Sequence, residues 1–161
     1  MATLVTYYSL TGHTATVADA LADRLGTKAD PILEQSARSA LPGTAAGAVN
    51  ALLSRASATK VPARDPSEFD LVILGTPVWA AAPAPAVNAY IDRYQGALGR
   101  LAFFCTQGKF GTAGTLARME RRLGHPPLAT LDVNEDEIGG ETMDQKVEVF
   151  LSDLRDAGGR A

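Results

Sequence analysis

Short apolar runs alternate along this chain with segments in which apolar residues recur at helical spacing. The runs cover residues 3–8, 31–34, 69–74, 101–105 and 128–133, and the second of them is the weakest. Between the runs, apolar residues recur every three to four positions, as at Val17, Leu21 and Leu25. This alternation predicts βαβ units and therefore a sheet of five parallel strands. Because such crossovers are right-handed and both faces of a parallel sheet need cover, we expect a doubly wound α/β fold.

Helical segments are predicted between the strands. The first covers about 12–25 and ends at Gly26, and later ones are marked by apolar residues within 87–94, 116–123 and 147–154. The pattern is poorest over 35–68, where Val49, Leu52, Leu53 and Ala56 suggest one amphipathic helix. The sequence contains no internal repeat or interdomain linker. We therefore expect residues 1–161 to form a single domain.

Composition excludes several classes of function. The 161 residues include 15 basic and 18 acidic ones, and the resulting net charge of −3 gives no electrostatic case for binding nucleic acid. Cys105 is the only cysteine, which excludes an intramolecular disulfide and a cysteine-rich zinc module. No stretch approaches the roughly 18 consecutive apolar residues of a membrane span, and the first ten residues lack the Lys or Arg of a secretory signal. We expect a cytoplasmic protein without a membrane span.

Familiar catalytic and metal-binding motifs are missing from the sequence. There is no G-x-S-x-G elbow, no Walker loop and no G-x-G-x-x-G. A phosphatase loop of the C-x5-R type starting at Cys105 fails because position 111 is glycine. His13 and His125 are the only histidines, and no carboxylate stands at a recognisable metal-ligand spacing from them. We predict no metal site and no side chain that acts as a catalytic acid, base or nucleophile.

Ligands of open α/β sheets bind beyond the carboxyl ends of the strands. Three segments follow such strand ends: the first loop (residues 9–14), the second loop (75–81) and the third loop (106–114). The first loop places the hydroxyls of Ser9, Thr11 and Thr14 around Gly12 at a helix start. The free N–H groups and partial positive charge of a helix start can hold a phosphate without Lys or Arg. The alternative is an ordinary N-cap by Ser or Thr.

The second and third loops have features of a binding site for a planar ring. Trp79, the only tryptophan, directly follows a buried strand, where it suits stacking on an aromatic ring. The alternative is a core or surface tryptophan. The third loop contains Gly108, Gly111 and Gly114, which would let main-chain groups reach the edge of a heterocycle. The alternative for this loop is a flexible turn between a strand and a helix.

Together the three loops resemble those of the flavodoxin family. The family's phosphate loop has the pattern S/T-x-T-G-x-T, and residues 9–14 match it at every fixed position. The likeness continues through 70–91 and 101–108, where G-T-P-V-W and F-F-C-T-x-G are shared with small bacterial flavodoxin-like proteins. The short stretch between Val133 and the last helix leaves no room for the insertion of long-chain flavodoxins. The resemblance implies a flavodoxin-like sheet with strand order 2-1-3-4-5 and FMN at its switch point.

The resemblance also implies which residues hold one non-covalent FMN. Its phosphate would be cradled by Ser9, Leu10, Thr11, Gly12, His13 and Thr14, with His13 contributing its backbone N–H. The ribityl chain and flavin would be lined by Thr76, Pro77, Val78, Trp79 and Ala80, and Trp79 would stack on the isoalloxazine. The pyrimidine end would be framed by Thr106, Gln107, Gly108 and Gly111. Many electron carriers of the family have Gly or Asn after the flavin-side aromatic; here the residue is Ala80, which we expect to resist a positive φ.

Redox chemistry is the function that the resemblance implies, since a flavin carries the electrons while the protein positions and tunes it. The expected role is electron transfer through FMN between a redox partner protein or a small-molecule acceptor and an electron donor. One alternative is an FMN-dependent NAD(P)H oxidoreductase acting on quinones or similar acceptors. Another is a binding module that keeps the fold and has lost the flavin.

Overall fold

Strands and helices alternate along the chain as the hydrophobic pattern predicts. The computed structural model describes residues 2–33 and 64–158, and all elements below belong to one compact unit. The strands are β1 (Thr3–Tyr7), β2 (Ala29–Pro31), β3 (Leu71–Trp79), β4 (Ala82–Pro83), β5 (Leu101–Gln107) and β6 (Thr130–Asn134). The helices are α1 (His13–Leu25), α2 (Pro85–Tyr94), α3 (Thr112–Leu123) and α4 (Glu141–Gly158).

The sheet confirms the expected strand order. Its path is β2-β1-β3-β5-β6, with every neighbouring pair parallel, and the two-residue β4 pairs antiparallel with β3 alone. Without β4, this path is the 2-1-3-4-5 order of the flavodoxin-like fold. Because β1, β3 and β5 are adjacent and parallel, their carboxyl ends lie at one edge of the sheet, at the point where the strand order reverses.

Helices cover both faces of the sheet, so the doubly wound prediction is also confirmed. One apolar cluster packs α1 and α4 against the sheet, and a second packs α2 and α3 against the opposite face. Successive residues of β5 alternate between them, with Phe104 in the first cluster and Phe103 in the second. A Cβ at Gly75 would lie 2.0 Å from Cζ of Phe104, so only glycine leaves room for this ring beside β3.

Strand boundaries differ from the prediction most in the second and third strands, while the fifth strand of the structure ends two residues later and the sixth begins two residues later than predicted; one further prediction lies outside the described residues. The second strand is Ala29–Pro31 instead of 31–34, because an edge strand needs only backbone pairing with β1 and not an apolar run. The third strand begins at Leu71 and continues to Trp79, well past the predicted end at residue 74. The amphipathic helix predicted near Val49 falls in the part of the chain that is not described. Among the described helices, none is long and apolar enough to cross a membrane.

Candidate functional site

The sheet brings the three loops together at its carboxyl edge. The first loop follows β1, the second loop ends β3 and continues beyond it, and the third loop begins at the end of β5. Residues at these strand ends are direct neighbours, since Tyr7 is paired with Gly75 and Gly75 with Phe104. The backbone N–H of Tyr8 donates to the carbonyl of Gly75 at 3.1 Å, which extends the pairing into the loops.

The start of α1 has backbone donors and no side-chain cap. Gly12 is the N-cap residue, at φ 100°, and no side chain accepts a hydrogen bond in the capping position. The Ser9 hydroxyl oxygen instead accepts the N–H of Gly12 at 3.1 Å, and the N–H of Thr16 makes the first helical bond, to the Gly12 carbonyl. The N–H groups of residues 13–15 therefore have no partner within the helix. The Ser or Thr N-cap alternative is wrong, and the donors of an anion site are present.

Thr14 connects the first loop to the third. Its side chain is buried, and its hydroxyl lies 2.8 Å from the hydroxyl of Thr106, which is buried as well. Thr11 and Leu10 are exposed at the tip of the loop. Nδ1 of His13 lies 3.5 Å from a carboxylate oxygen of Glu135 in the turn after β6. The first loop is thus connected to two neighbouring segments, while Thr11 stays open to solvent.

The second loop is a tight hairpin between β3 and β4. Val78 pairs with Pro83 and Trp79 with Ala82, which leaves Ala80 and Ala81 as the only turn residues. Both alanines are left-handed, with φ 51° and 57°. Positive φ at both central residues is the pattern of a type I′ turn, where Asn-Gly is the usual pair. Ala80 therefore adopts a positive φ although alanine resists it, because closing the two-residue hairpin requires this conformation at a cost of about 1–2 kcal/mol per residue.

Ala80→Gly should stabilise the protein, because glycine adopts φ 51° without the clash between Cβ and the following carbonyl. We expect the free energy of unfolding to rise by about 1 kcal/mol, measured by urea denaturation. Ala82→Gly is the matched control, since Ala82 lies in β4 and has no positive φ; it should leave stability unchanged or lower it. A fall in stability on Ala80→Gly would mean that the left-handed turn is not strained.

Trp79 lies at the surface of the site and not in the core. Its side chain is 37% exposed, and its ring meets the Tyr8 ring edge to face, with centroids 5.7 Å apart and planes at 89°. A second aromatic, Phe110 in the third loop, is 81% exposed. Sequence reasoning missed Phe110, although a phenylalanine between Lys109 and Gly111 in a polar loop is an available signal. The site thus presents two aromatic rings to solvent, a partly exposed one at Trp79 and an almost fully exposed one at Phe110.

Thr76, predicted to line the ribityl chain, has its hydroxyl engaged within the fold. Its side chain is fully buried, and its hydroxyl donates to the Pro77 carbonyl and accepts the N–H of Ala84, both at 2.9 Å. The hydroxyl therefore ties β3 to the start of α2. Pro77 and Val78 are half-buried and Ala80 is exposed, so the outer part of the second loop is the part that lines the edge of the sheet.

In the third loop, Gln107 is buried and held by an acidic residue. Its amide N–H groups donate to both carboxylate oxygens of Asp132, at 3.0 and 2.9 Å, and the Thr112 hydroxyl donates to the same carboxylate at 2.9 Å. Asp132, on β6, was not predicted as a site residue, because in the sequence it belongs to a run of acidic residues that is typical of a solvated turn. It fixes the end of β5 relative to the start of α3. Gly108 is exposed, and a Cβ there would lie 3.7 Å from Glu135.

Two other groups near this edge have structural roles. Burial, with a smaller contribution from Asp132, raises the pKa of the Cys105 thiol to about 12, so the thiol is protonated at neutral pH and is no nucleophile. Hydrogen bonds, first from Lys146 and then from the Asn134 backbone, lower the pKa of Glu137. Glu137 thereby completes a capping box with Asn134 in the turn after β6. Within the described ranges, no group of three or more His, Cys, Asp or Glu side chains is placed to hold a metal ion.

Comparison with solved structures identifies the fold. A flavoprotein in complex with FMN from Lactobacillus acidophilus NCFM superposes with a TM-score of 0.60 at 17% identity, covering 93% of this chain and 98% of that one. A flavodoxin from the domain Archaea gives 0.61 at 11% identity, covering 98% and 99%. The flavodoxin of Streptococcus pneumonia TIGR4 gives 0.59 at 15% identity, covering 96% and 97%. No protein-family model and no curated protein matches the sequence. The chain has a flavodoxin-like fold.

Proposed function

We propose that this flavodoxin-like domain binds one FMN non-covalently across the first, second and third loops and works in redox chemistry. The observation that carries the proposal is the start of α1, where Gly12 leaves backbone donors without a side-chain cap beside the hydroxyls of Ser9 and Thr11. A helix start of this kind supplies N–H groups and a partial positive charge to a phosphate. The flavoprotein from Lactobacillus acidophilus, which shares the fold, is described as a complex with FMN.

The phosphate would be held by the first loop. Residues 9–14 would contribute backbone N–H groups and hydroxyls, and the Thr14 hydroxyl would donate to the phosphate while it accepts from the Thr106 hydroxyl 2.8 Å away. Neutral donors suit this role, because a phosphate bound at a helix start needs no cationic side chain. A carboxylate oxygen of Glu135 lies 3.5 Å from Nδ1 of His13, so this acidic side chain is engaged by a residue of the first loop.

The isoalloxazine would lie at the outer part of the second and third loops. Trp79 offers an accessible ring held from the side by Tyr8, and the exposed Phe110 offers a second apolar surface. Backbone groups of Thr106, Gln107, Gly108 and Gly111 would meet the pyrimidine end, since the side chain of Gln107 is engaged by Asp132. Thr76 would line the ribityl chain through its backbone, since its hydroxyl is engaged by Pro77 and Ala84.

The bound flavin would supply the redox chemistry, and the protein would bind, orient and shield it. The role we propose is electron transfer between an electron donor and a partner protein or small acceptor in the cytoplasm. This role asks no side chain to act as acid or base. It agrees with the buried, protonated thiol of Cys105, which offers no nucleophile.

The proposal is tested by titrating the apoprotein with FMN and with riboflavin. We expect FMN to bind tightly and riboflavin to bind much more weakly, because only FMN carries the phosphate that the first loop would hold. The loaded protein is then mixed with NADH or NADPH and a quinone. Steady consumption of the pyridine nucleotide would favour the oxidoreductase over a carrier. An apoprotein that ignores both flavins would contradict the proposed function and leave a binding module of another kind.

A further inference from the structure

Two glycines at the start of α3 form a surface that receives the second loop. Gly111 is the N-cap of α3, and Gly114 lies one turn further along the helix. A Cβ at Gly111 would lie 2.9 Å from Cγ1 of Val78 and 3.1 Å from Cα of Ala81. At Gly114 it would lie 3.2 Å from both the Cβ and the carbonyl oxygen of Ala81. We call Gly111 and Gly114 the glycine notch. Ala81 packs against both glycines, where a side chain at either position would crowd it.

Gly114 needs an explanation, because glycine has a low helix propensity and Gly114 lies within α3. Gly114 is the third residue of α3, where alanine is the better helix former and no positive φ requires glycine. The contact with Ala81 is the feature that explains a missing side chain at this position. Gly111 differs, since its φ of 108° calls for glycine independently of the contact with Val78.

The notch also accounts for the left-handed turn. Ala80 and Ala81 both adopt a conformation that alanine disfavours, and such a conformation persists only where the surrounding structure holds it. Ala80 is exposed and makes no such contact with the notch, whereas Ala81 is packed between Gly111 and Gly114. Ala81 therefore carries the packing that keeps the hairpin closed. Trp79 precedes it by two residues and is the last residue of β3.

We propose that Ala81, seated in the glycine notch, is the positioning residue that holds Trp79 ready to stack on a planar ligand. The proposal rests on the proposed function for the identity of that ligand, the flavin ring. If the Trp79 ring is already held in place, binding does not have to order it, and little conformational entropy is lost. More of the stacking energy then contributes to affinity. The affinity for the ring then depends on the contact of Ala81, in the turn between β3 and β4, with Gly114 of α3, a residue that is not among those proposed to meet the flavin.

The experiment compares Gly114→Ala, Ala81→Gly and the double variant. Gly114→Ala should displace the hairpin, because a methyl group 3.2 Å from Ala81 is closer than ordinary contact. In the apoprotein, the emission of Trp79, the only tryptophan, should shift to longer wavelength as its contact with Tyr8 loosens. FMN binding should weaken by about fivefold, which corresponds to about 1 kcal/mol. Because Ala81→Gly removes one of the two crowding atoms, the double variant should bind FMN more tightly than Gly114→Ala alone.

Gly99→Ala is the matched control, since no atom lies within 4 Å of a Cβ at Gly99 and its φ is not positive. It should change neither the emission of Trp79 nor the affinity for FMN. The proposal would be overturned if the loss of FMN affinity in the double variant equalled the sum of the losses in Gly114→Ala and Ala81→Gly. Additive losses are what two independent sites would give. Unchanged Trp79 emission in apo Gly114→Ala would also overturn it, whatever FMN does. Failure of the unsubstituted protein to bind FMN would contradict the proposed function, and the emission of the apoproteins would still test the notch.

Discussion

Thr11→Ala and Thr14→Ala should each weaken FMN binding roughly ten- to a hundredfold, because one charge-assisted hydrogen bond to a phosphate contributes about 1.5–3 kcal/mol. Riboflavin lacks the phosphate, so its affinity should change far less in both variants. Thr11 gives the cleaner result, since it is exposed and its side chain makes no hydrogen bond to residues 2–33 or 64–158. Titration of apoprotein with each flavin, followed by flavin fluorescence, measures both affinities.

Thr14 requires its own control because its hydroxyl also contacts Thr106 at 2.8 Å. Thr14→Ser keeps that hydroxyl and should bind FMN nearly as well as the unsubstituted protein. Thr16→Ala is the control for the helix itself, since Thr16 is exposed in the first turn of α1 and donates only to the Gly12 carbonyl. Equal losses of affinity for FMN and riboflavin in Thr11→Ala would show that the first loop does not hold the phosphate.

Binding of FMN should extinguish nearly all tryptophan emission. Trp79 is the only tryptophan, and a flavin ring stacked on it would quench its fluorescence at contact distance. Trp79→Ala should weaken FMN by about tenfold or more, since a stacked aromatic pair contributes about 0.5–1.5 kcal/mol beyond the apolar area it buries. Trp79→Phe retains an aromatic ring and should recover part of the affinity. Fluorescence titration of the three proteins measures these differences.

Trp79→Ala also distinguishes a tryptophan that binds the ligand from one that stabilises the core. Truncating a core tryptophan costs about 3–5 kcal/mol of stability, but Trp79 is 37% exposed and contacts Tyr8 mainly by an edge. Trp79→Ala should therefore lower the free energy of unfolding by much less than a core truncation, as measured in urea. Unchanged FMN affinity together with a large loss of stability would remove Trp79 from the binding site.

Prediction from the sequence succeeded where the signal was local and repeated. The alternation of strand runs with helical spacing indicated the parallel sheet, and the pattern of residues 9–14 placed a Gly-containing turn at a helix start. Prediction from the sequence failed where contacts with another segment decide the bounds of a strand or the partners of a side chain. The second strand begins at Ala29 because β1 provides the hydrogen bonds, a condition that no run of apolar residues records. The hydroxyl of Thr76 likewise has partners that no local pattern records, since it accepts the N–H of Ala84 eight residues away.

The sequence by itself determined the fold class and which three loops meet at the carboxyl edge of the sheet, because hydrophobic periodicity and turn residues act over a few positions. Only the tertiary structure decided the backbone conformation and the packing of the loop residues. Ala80 and Ala81 are left-handed because a hairpin closes around them and Gly114 leaves space for Ala81. The intrinsic preference of alanine is about 1–2 kcal/mol, and packing between segments more than 30 positions apart can exceed it.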